Sequence, residues 1–273
     1  MFKDTGISHI KDFINENIKD SLNEEISELS NKYSINGVTR ASTWINYNLC
    51  DINDPIVNIN SVNLLEIISK VHQELTKISS ENYTLSSIRV MIEKNNSHPI
   101  TWHTDNKLGI IRAIIYLKGG ENNNGNLSFI KGSHNYKHSK DTHKINPYEL
   151  GLEDKIISMD TQEDDLIFFD INGFHIKNPT RKERRVIFME FHNGKSDVKM
   201  GKVILDSSKF IKDIRKNLDF LFSNRNISHN DYQNVTYSRN IPSETPFKVF
   251  YYYFKSFCKL IISRIKNKVK RIR

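Results

Sequence analysis

The sequence predicts a mainly β domain, an antiparallel barrel or sandwich, with helices on either side of it in the chain. Five short runs rich in Ile, Val and Phe are broken by clusters of Gly, Asn, Pro and Ser, which is typical of strands and turns. No helical segment of full length separates these runs, so an antiparallel arrangement is favoured over a doubly wound parallel sheet. The 273 residues suffice for one large domain with a sizeable core.

Helical patterns precede and follow the predicted strands. Apolar residues recur at three- and four-residue spacing from about Ser8 to Lys32 and again from Asn63 to Leu75, which predicts two helices. The five predicted strands are Ser87–Glu93, Ile110–Leu117, Leu127–Ile130, Asp165–Phe169 and Arg185–Phe191. A further helical pattern runs from about Ser207 to Phe222, and a polar connection from Ser223 to Pro246 leads to the C-terminal segment.

The positive charge of the chain is concentrated in residues 247–273. The formal net charge is +8, and this segment alone holds nine Lys and Arg residues and no Asp or Glu. The rest of the chain is therefore nearly neutral. A nucleic-acid-binding domain needs basic residues on its folded surface, so we expect no nucleic-acid partner.

The same C-terminal segment is amphipathic. Its apolar residues recur at helical spacing and give one apolar stripe, with Lys and Arg on the other faces. Its longest apolar run, Val249 to Phe254, is far shorter than the roughly 20 residues of a transmembrane helix. Two alternatives stay open, a helix that lies on an anionic membrane surface and a helix that docks on the protein's own core.

The chain carries two cysteines, Cys50 and Cys258, too far apart in sequence for a zinc-type motif or a disulfide framework. The first residues lead into a charged helical pattern without the apolar stretch of a secretory signal peptide. We expect a cytoplasmic protein, with peripheral membrane contact if the C-terminal helix binds lipid.

Two histidines and one aspartate stand at strand ends in a pattern that suits a metal ion. His103 and Asp105 follow the first predicted strand, two residues apart, and His175 follows a glycine turn after the fourth predicted strand. Two His and one carboxylate form the facial triad that holds Fe(II) and leaves three coordination positions open. Arg184 and Arg185 follow nine and ten residues later, and a guanidinium fork matches the distal carboxylate of 2-oxoglutarate.

Taken in order, these pieces resemble the phytanoyl-CoA dioxygenase-like family of Fe(II)/2-oxoglutarate-dependent dioxygenases. The resemblance covers about residues 85–192 and depends on order and spacing together. It rests on Trp102-His103-Thr104-Asp105-Asn106, the strand Ile110 to Leu117, Asn124-Gly125-Asn126-Leu127, Lys131-Gly132-Ser133-His134, Asp165-Leu166-Ile167-Phe168-Phe169, His175 and the arginine pair. Lys131 stands where the family usually has a proline.

The resemblance implies a double-stranded β-helix, or jelly-roll, core at about residues 85–192 within one dioxygenase domain that spans residues 1–246. It implies iron bound by His103, Asp105 and His175, and 2-oxoglutarate bound by an arginine after the second histidine. Related halogenating enzymes lack the carboxylate ligand, so Asp105 implies hydroxylation or a similar oxidation rather than chlorination, with release of succinate and CO2. The partners implied are O2 and a small-molecule substrate; the basic C-terminal segment adds the hypothesis that the substrate is lipid-linked or glycan-linked, and the oligomeric state is left open.

Which arginine would bind the cosubstrate depends on strand alternation. Arg184 shares a face with Val186, Phe188 and Glu190, whereas Arg185 shares a face with residues that are all apolar. The apolar face should pack under the helices, so Arg184 is the preferred anchor and Arg185 the alternative. Tyr116 shares a face with Arg112 and could donate to the same cosubstrate, although a core tyrosine is the commoner role.

The other histidines carry weaker signals, and two other functions are compatible with the same residues. His134, His138 and His143 are interpreted as surface residues, because neighbouring lysines would repel a cation. His98 and His192 are weak candidates for substrate contact. The main alternative function is a non-catalytic jelly-roll binding protein attached to a membrane by its C-terminal helix; a zinc-dependent hydrolase would need a general base and would leave the arginine without a role.

Overall fold

The computed structural model describes residues 2–33, 44–48, 56–59, 62–96, 101–105, 107–122, 124–137, 144–195 and 202–205. Its helices are α1 (Phe2–Thr5), α2 (Glu16–Tyr33) and α3 (Val62–Ile78). Its strands are β1 (Ile7–Ile10), β2 (Trp44–Asn48), β3 (Ile56–Ile59), β4 (Thr84–Asn96), β5 (Ile110–Lys118), β6 (Leu127–Ile130), β7 (Ile156–Ser158), β8 (Leu166–Asp170), β9 (His175–Lys177), β10 (Thr180–His192) and β11 (Lys202–Leu205).

The strands form a jelly roll, as expected. The major sheet has the order β1-β8-β5-β10-β4-β2 and the minor sheet the order β7-β6-β9, and the pairs within both are antiparallel. A separate parallel pair joins β3 and β11. The five predicted strands correspond to β4, β5, β6, β8 and β10, and β4 and β10 are longer than predicted, with 13 residues each.

The two faces of the major sheet bury different sets of side chains. On one face α2 and α3 cover a set that we term the helix-side cluster: Leu22, Ile26, Leu65, Ile68, Val71, Leu75, Leu85, Ile88, Ile111, Ala113, Ile115, Leu166, Phe168, Ile187, Met189 and Phe191. Between the major and minor sheets lies the barrel-side cluster: Ile7, Ile110, Ile114, Tyr116, Leu127, Phe129, Ile167, Phe169, Ile171 and Val186. Strand alternation sends neighbouring residues of one strand to opposite clusters.

The prediction of a helix from Ser8 is wrong at its beginning. Residues 7–10 form β1, which pairs with β8, and α2 begins only at Glu16. Asp12, with φ of 51°, adopts a left-handed conformation that a helix cannot continue through. Ile10 and Phe13 still pack against the helix-side cluster. Their side chains are therefore partly buried, although the segment that carries them is not helical.

The predicted helix Ser207–Phe222, the connection that follows it, the C-terminal helix and the domain boundary at residue 246 lie outside the described residues. In the part of the chain that the structure describes, no helix has both the length and the apolar character needed to cross a membrane.

Candidate metal centre

His103, Asp105 and His175 come together at one end of the space between the two sheets. One ligand atom from each side chain lies within 4.8 Å of those of the other two. His103 Nε2 is 3.8 Å from Asp105 Oδ1, and the two imidazole rings have centroids 4.5 Å apart. His175 is buried, whereas His103 and Asp105 are partly exposed, so the group opens toward solvent on one side.

The backbone fixes this arrangement. His103 and His175 exchange two backbone hydrogen bonds, at 3.1 and 2.9 Å, so that His103 continues the minor sheet beside β9. The amide of Asp105 donates to the carbonyl of Ile171 at 3.0 Å, which ties the His-Thr-Asp segment to the turn between β8 and β9. Gly173 is required in that turn, because a Cβ there would lie 2.3 Å from the ring of Phe129.

Both imidazoles are oriented so that Nε2 can bind a metal ion. Nδ1 of His103 donates to the carbonyl of Thr101, and Nδ1 of His175 donates to the carbonyl of Gly173, each at 2.9 Å. Since a carbonyl only accepts hydrogen bonds, these contacts fix the proton on Nδ1 and leave the Nε2 lone pair available. Burial, with the nearby positive charge of Arg112, lowers the pKa of His175 to about 3, so this ring is neutral at physiological pH.

Asp105 is held by an arginine that the sequence interpretation did not include in the site. Arg112 Nη2 donates to Asp105 Oδ2 at 2.8 Å and to Glu190 Oε1 at 2.6 Å. Although burial opposes ionisation of Asp105, the positive charge of Arg112 holds the pKa of its carboxyl below the usual value. Arg112 meets Glu190 because the register of β5 and β10 places the two residues directly opposite each other. This register cannot be read from the local sequence.

The two adjacent arginines point to opposite faces of β10. Arg184 is only 2% exposed, and its guanidinium lies 5.4 Å from the ring centroid of Tyr116 and 5.6 Å from that of Phe188. Arg185 Nη1 instead donates to Asn23 and Ser27 of α2 at 3.1 to 3.2 Å, and its Nη2 donates to Glu183 at 3.2 Å. Whether either arginine binds 2-oxoglutarate stays a prediction.

Tyr116 contributes a buried polar atom to the barrel interior. Its side chain is fully buried, and its hydroxyl has no hydrogen-bond partner among the described residues. A buried hydroxyl without a partner is costly, so its position favours a ligand that accepts a hydrogen bond there. Gly120 packs directly against this ring, because a Cβ at this residue would lie 2.3 Å from Cδ1 of Tyr116.

The remaining histidines lie away from this group or outside the described residues. His134 Nε2 contacts the carbonyl of Lys3 at 3.0 Å, a contact between the N-terminal segment and the loop after β6. His192 is buried at the end of β10, and burial lowers its pKa. His98, His138 and His143 fall outside the described residues.

No family model matches the chain, and no curated protein matches it significantly in sequence. The fold is similar to that of several solved structures. HygX from Streptomyces hygroscopicus, crystallised with nickel, 2-oxoglutarate and hygromycin B, is 12% identical with a TM-score of 0.52, over 71% of this chain and 85% of that one. The epimerase SnoN, in complex with Fe3+, alpha-ketoglutarate and nogalamycin RO, is 13% identical with a TM-score of 0.56, over 74% and 91%.

A third similar structure is SnoK, a non-heme alpha-ketoglutarate-dependent carbocyclase from nogalamycin biosynthesis. It is 12% identical with a TM-score of 0.53, over 73% of this chain and 84% of that one. The chain thus has a jelly-roll fold like that of non-heme iron and 2-oxoglutarate-dependent enzymes. At these identities the likeness establishes the fold, and the chemistry has to be argued from the site itself.

Proposed function

We propose that this protein is an Fe(II)/2-oxoglutarate-dependent oxygenase, similar to the phytanoyl-CoA dioxygenase-like branch, that hydroxylates a small molecule. The observation that carries the proposal is the convergence of His103, Asp105 and His175, with both Nε2 atoms available and one carboxylate oxygen beside them. Two nitrogens and one oxygen on one side of a metal are typical of non-heme Fe(II) oxygenases.

In this proposal the three side chains hold Fe(II) and leave the other coordination positions open. Fe(II) with 2-oxoglutarate and O2 supplies the oxidation chemistry, with release of succinate and CO2. The protein's part is placement and exclusion of water. Asp105 retains the carboxylate ligand that halogenating relatives lack, which favours hydroxylation over halogen transfer.

The distal carboxylate of 2-oxoglutarate would lie between Arg184 and Tyr116. Both side chains are buried in the barrel interior, and the ring of Phe188 lies within 6.0 Å of the guanidinium carbons of both Arg112 and Arg184. Phe188 is therefore a neighbour of both the arginine beside the metal ligands and the arginine beside Tyr116. We propose that a dicarboxylate bound to the metal at one end would contact Arg184 and the Tyr116 hydroxyl with the other end.

The test is an anaerobic titration of the metal-free protein with Fe(II) and 2-oxoglutarate, followed by visible absorption. We expect a metal-to-ligand charge-transfer band that appears only when both are present and is missing in His175→Ala. If iron and 2-oxoglutarate do not bind together, the chain is instead the non-catalytic jelly-roll binding protein.

Residues 247–273 support a second proposal, which concerns the substrate and where the protein meets it. The basic and amphipathic character of residues 247–273 favours contact with an anionic membrane surface, where a lipid-linked or glycan-linked substrate would be presented. We expect the full chain to sediment with anionic liposomes and a chain that ends at Pro246 to stay in the supernatant. Equal sedimentation of the two would contradict membrane attachment by this segment.

A further inference from the structure

The contact between Arg112 and Asp105 involves one carboxylate oxygen only. Arg112 Nη2 donates to Oδ2 at 2.8 Å, whereas Oδ1 is the oxygen that lies 3.8 Å from His103 Nε2. The carboxylate is thus divided, with one oxygen bound to a cation from the protein and the other turned toward the histidine. A ligand held in this way is limited to one oxygen for a metal ion.

Arg112 is itself fixed from the opposite side. Its Nε and Nη2 atoms donate to Glu190 Oε1 at 3.1 and 2.6 Å, and Glu190 is the residue directly across from it in the β5–β10 register. The guanidinium carbon also lies 5.7 Å from the ring centroid of Phe169 and 6.0 Å from that of Phe188. The side chain is only 15% exposed, so these charge-assisted contacts are little weakened by solvent.

We propose that Arg112 and Glu190 are positioning residues that hold Asp105 as a one-oxygen metal ligand and take no part in binding 2-oxoglutarate. This inference rests on the function proposed above. The two carboxylates beside Arg112 already occupy its Nε and Nη2 atoms, so this fork is not available for a bidentate contact with the cosubstrate.

Charge and geometry predict opposite results, which makes the inference testable. Arg112 is a cation beside a cation site, so by charge alone Arg112→Met would strengthen metal binding. If Arg112 instead orients the carboxylate, its removal should weaken metal binding about 10- to 100-fold, the usual range for residues that orient metal ligands. The double variant Arg112→Met/Glu190→Met keeps the net charge of the pair unchanged, and it does not leave Glu190 as a buried carboxylate without its arginine.

The experiment is a titration of the metal-free protein with Co(II), followed by visible absorption, in wild type, both Arg112 variants and Arg184→Met. Folding of each is checked by far-ultraviolet circular dichroism. We expect both Arg112 variants to bind Co(II) about 10- to 100-fold more weakly and with a changed d–d spectrum. At saturating Co(II), 2-oxoglutarate affinity should fall in Arg184→Met and change less than threefold in the charge-matched double variant.

Three results would overturn the inference. Co(II) affinity of the double variant within twofold of wild type would show that the pair does not position Asp105. Tighter binding in Arg112→Met would show that charge outweighs orientation. A loss of 2-oxoglutarate affinity in the double variant as large as that in Arg184→Met would make Arg112 a cosubstrate residue. If wild type itself binds no Co(II), the proposed function fails first, and the inference fails with it.

Discussion

The two faces of β10 differ in what they bury. On the helix side Ile187, Met189 and Phe191 are buried against α2, α3 and the neighbouring strands, and all are apolar. On the barrel side Arg184 is equally buried, and Glu190 and Arg112 form an ion pair beside a metal-ligand candidate. Apolar burial stabilises the fold, whereas buried charges are costly unless they are paired. One strand thus buries an apolar set on one face and, on the other, charged side chains beside the candidate metal ligands.

The largest effect is expected on the barrel side, from Asp105→Ala. This change removes one of three candidate metal ligands, so anaerobic binding of Fe(II) with 2-oxoglutarate should fall below detection. Because Arg112 keeps its bond to Glu190, the free energy of unfolding of the metal-free protein should change by only about 1 kcal/mol. The free energy of unfolding is measured by urea denaturation of the metal-free wild type and variant. If the variant still bound Fe(II) and 2-oxoglutarate together, the expected loss of binding would be contradicted.

The opposite pattern is expected for Phe191→Ala on the helix side. Phe191 is fully buried, and its removal leaves a cavity that should cost about 3 to 5 kcal/mol of unfolding free energy. The folded fraction of this variant should still give the charge-transfer band, and the band should appear at the same 2-oxoglutarate concentration as in wild type. A small loss of stability together with weakened cosubstrate binding would show that the two faces are not separate in function.

A smaller effect is expected from pH, through the histidines of the barrel side. Burial comes first among the causes that hold the pKa of His175 at about 3, and burial also lowers the pKa of His192. In the unfolded chain these groups have pKa values of about 6.5, so below that pH the unfolded state binds more protons. The free energy of unfolding of the metal-free protein should therefore fall by about 2 kcal/mol from pH 6.5 to about pH 5 for His175 alone.

This pH dependence is measured by urea denaturation at several pH values, with His175→Gln as the matched control. The control should show a shallower decrease of stability below about pH 6.5, because it lacks the group that takes up the proton. Equal slopes for wild type and the control would show that His175 is not held neutral by burial.

The antiparallel fold could be predicted because its central strands have strong local signals. Ile110–Lys118 and Leu166–Asp170 are almost continuous apolar runs, and both are buried between neighbouring strands. The prediction was wrong for Ser8 to Asn15, where periodic apolar residues pack on the core from an extended segment. Short edge strands such as β7 and β9, of three residues each, carry too few residues for a recognisable pattern.

The candidate ligands could be found from spacing, but their support could not. His103 and Asp105 lie two residues apart, whereas Glu190 lies 78 residues from Arg112 and meets it only through the register of β5 and β10. Strand register depends on turns and bulges far from the pair, such as the irregularity between Arg185 and Val186. The opposite directions of the Arg184 and Arg185 side chains could be predicted, because neighbouring residues of a strand point to opposite faces.

The most direct test of this division between the faces compares Arg184→Met with Arg185→Met, two changes of the same size on adjacent residues. For each variant, 2-oxoglutarate affinity is measured with Co(II) bound and the free energy of unfolding is measured without metal. We expect at least a tenfold loss of affinity in Arg184→Met alone. Arg185→Met should bind 2-oxoglutarate as wild type does and lose about 1 to 3 kcal/mol of stability with its contacts to α2. An equal or greater loss of affinity in Arg185→Met would contradict this division.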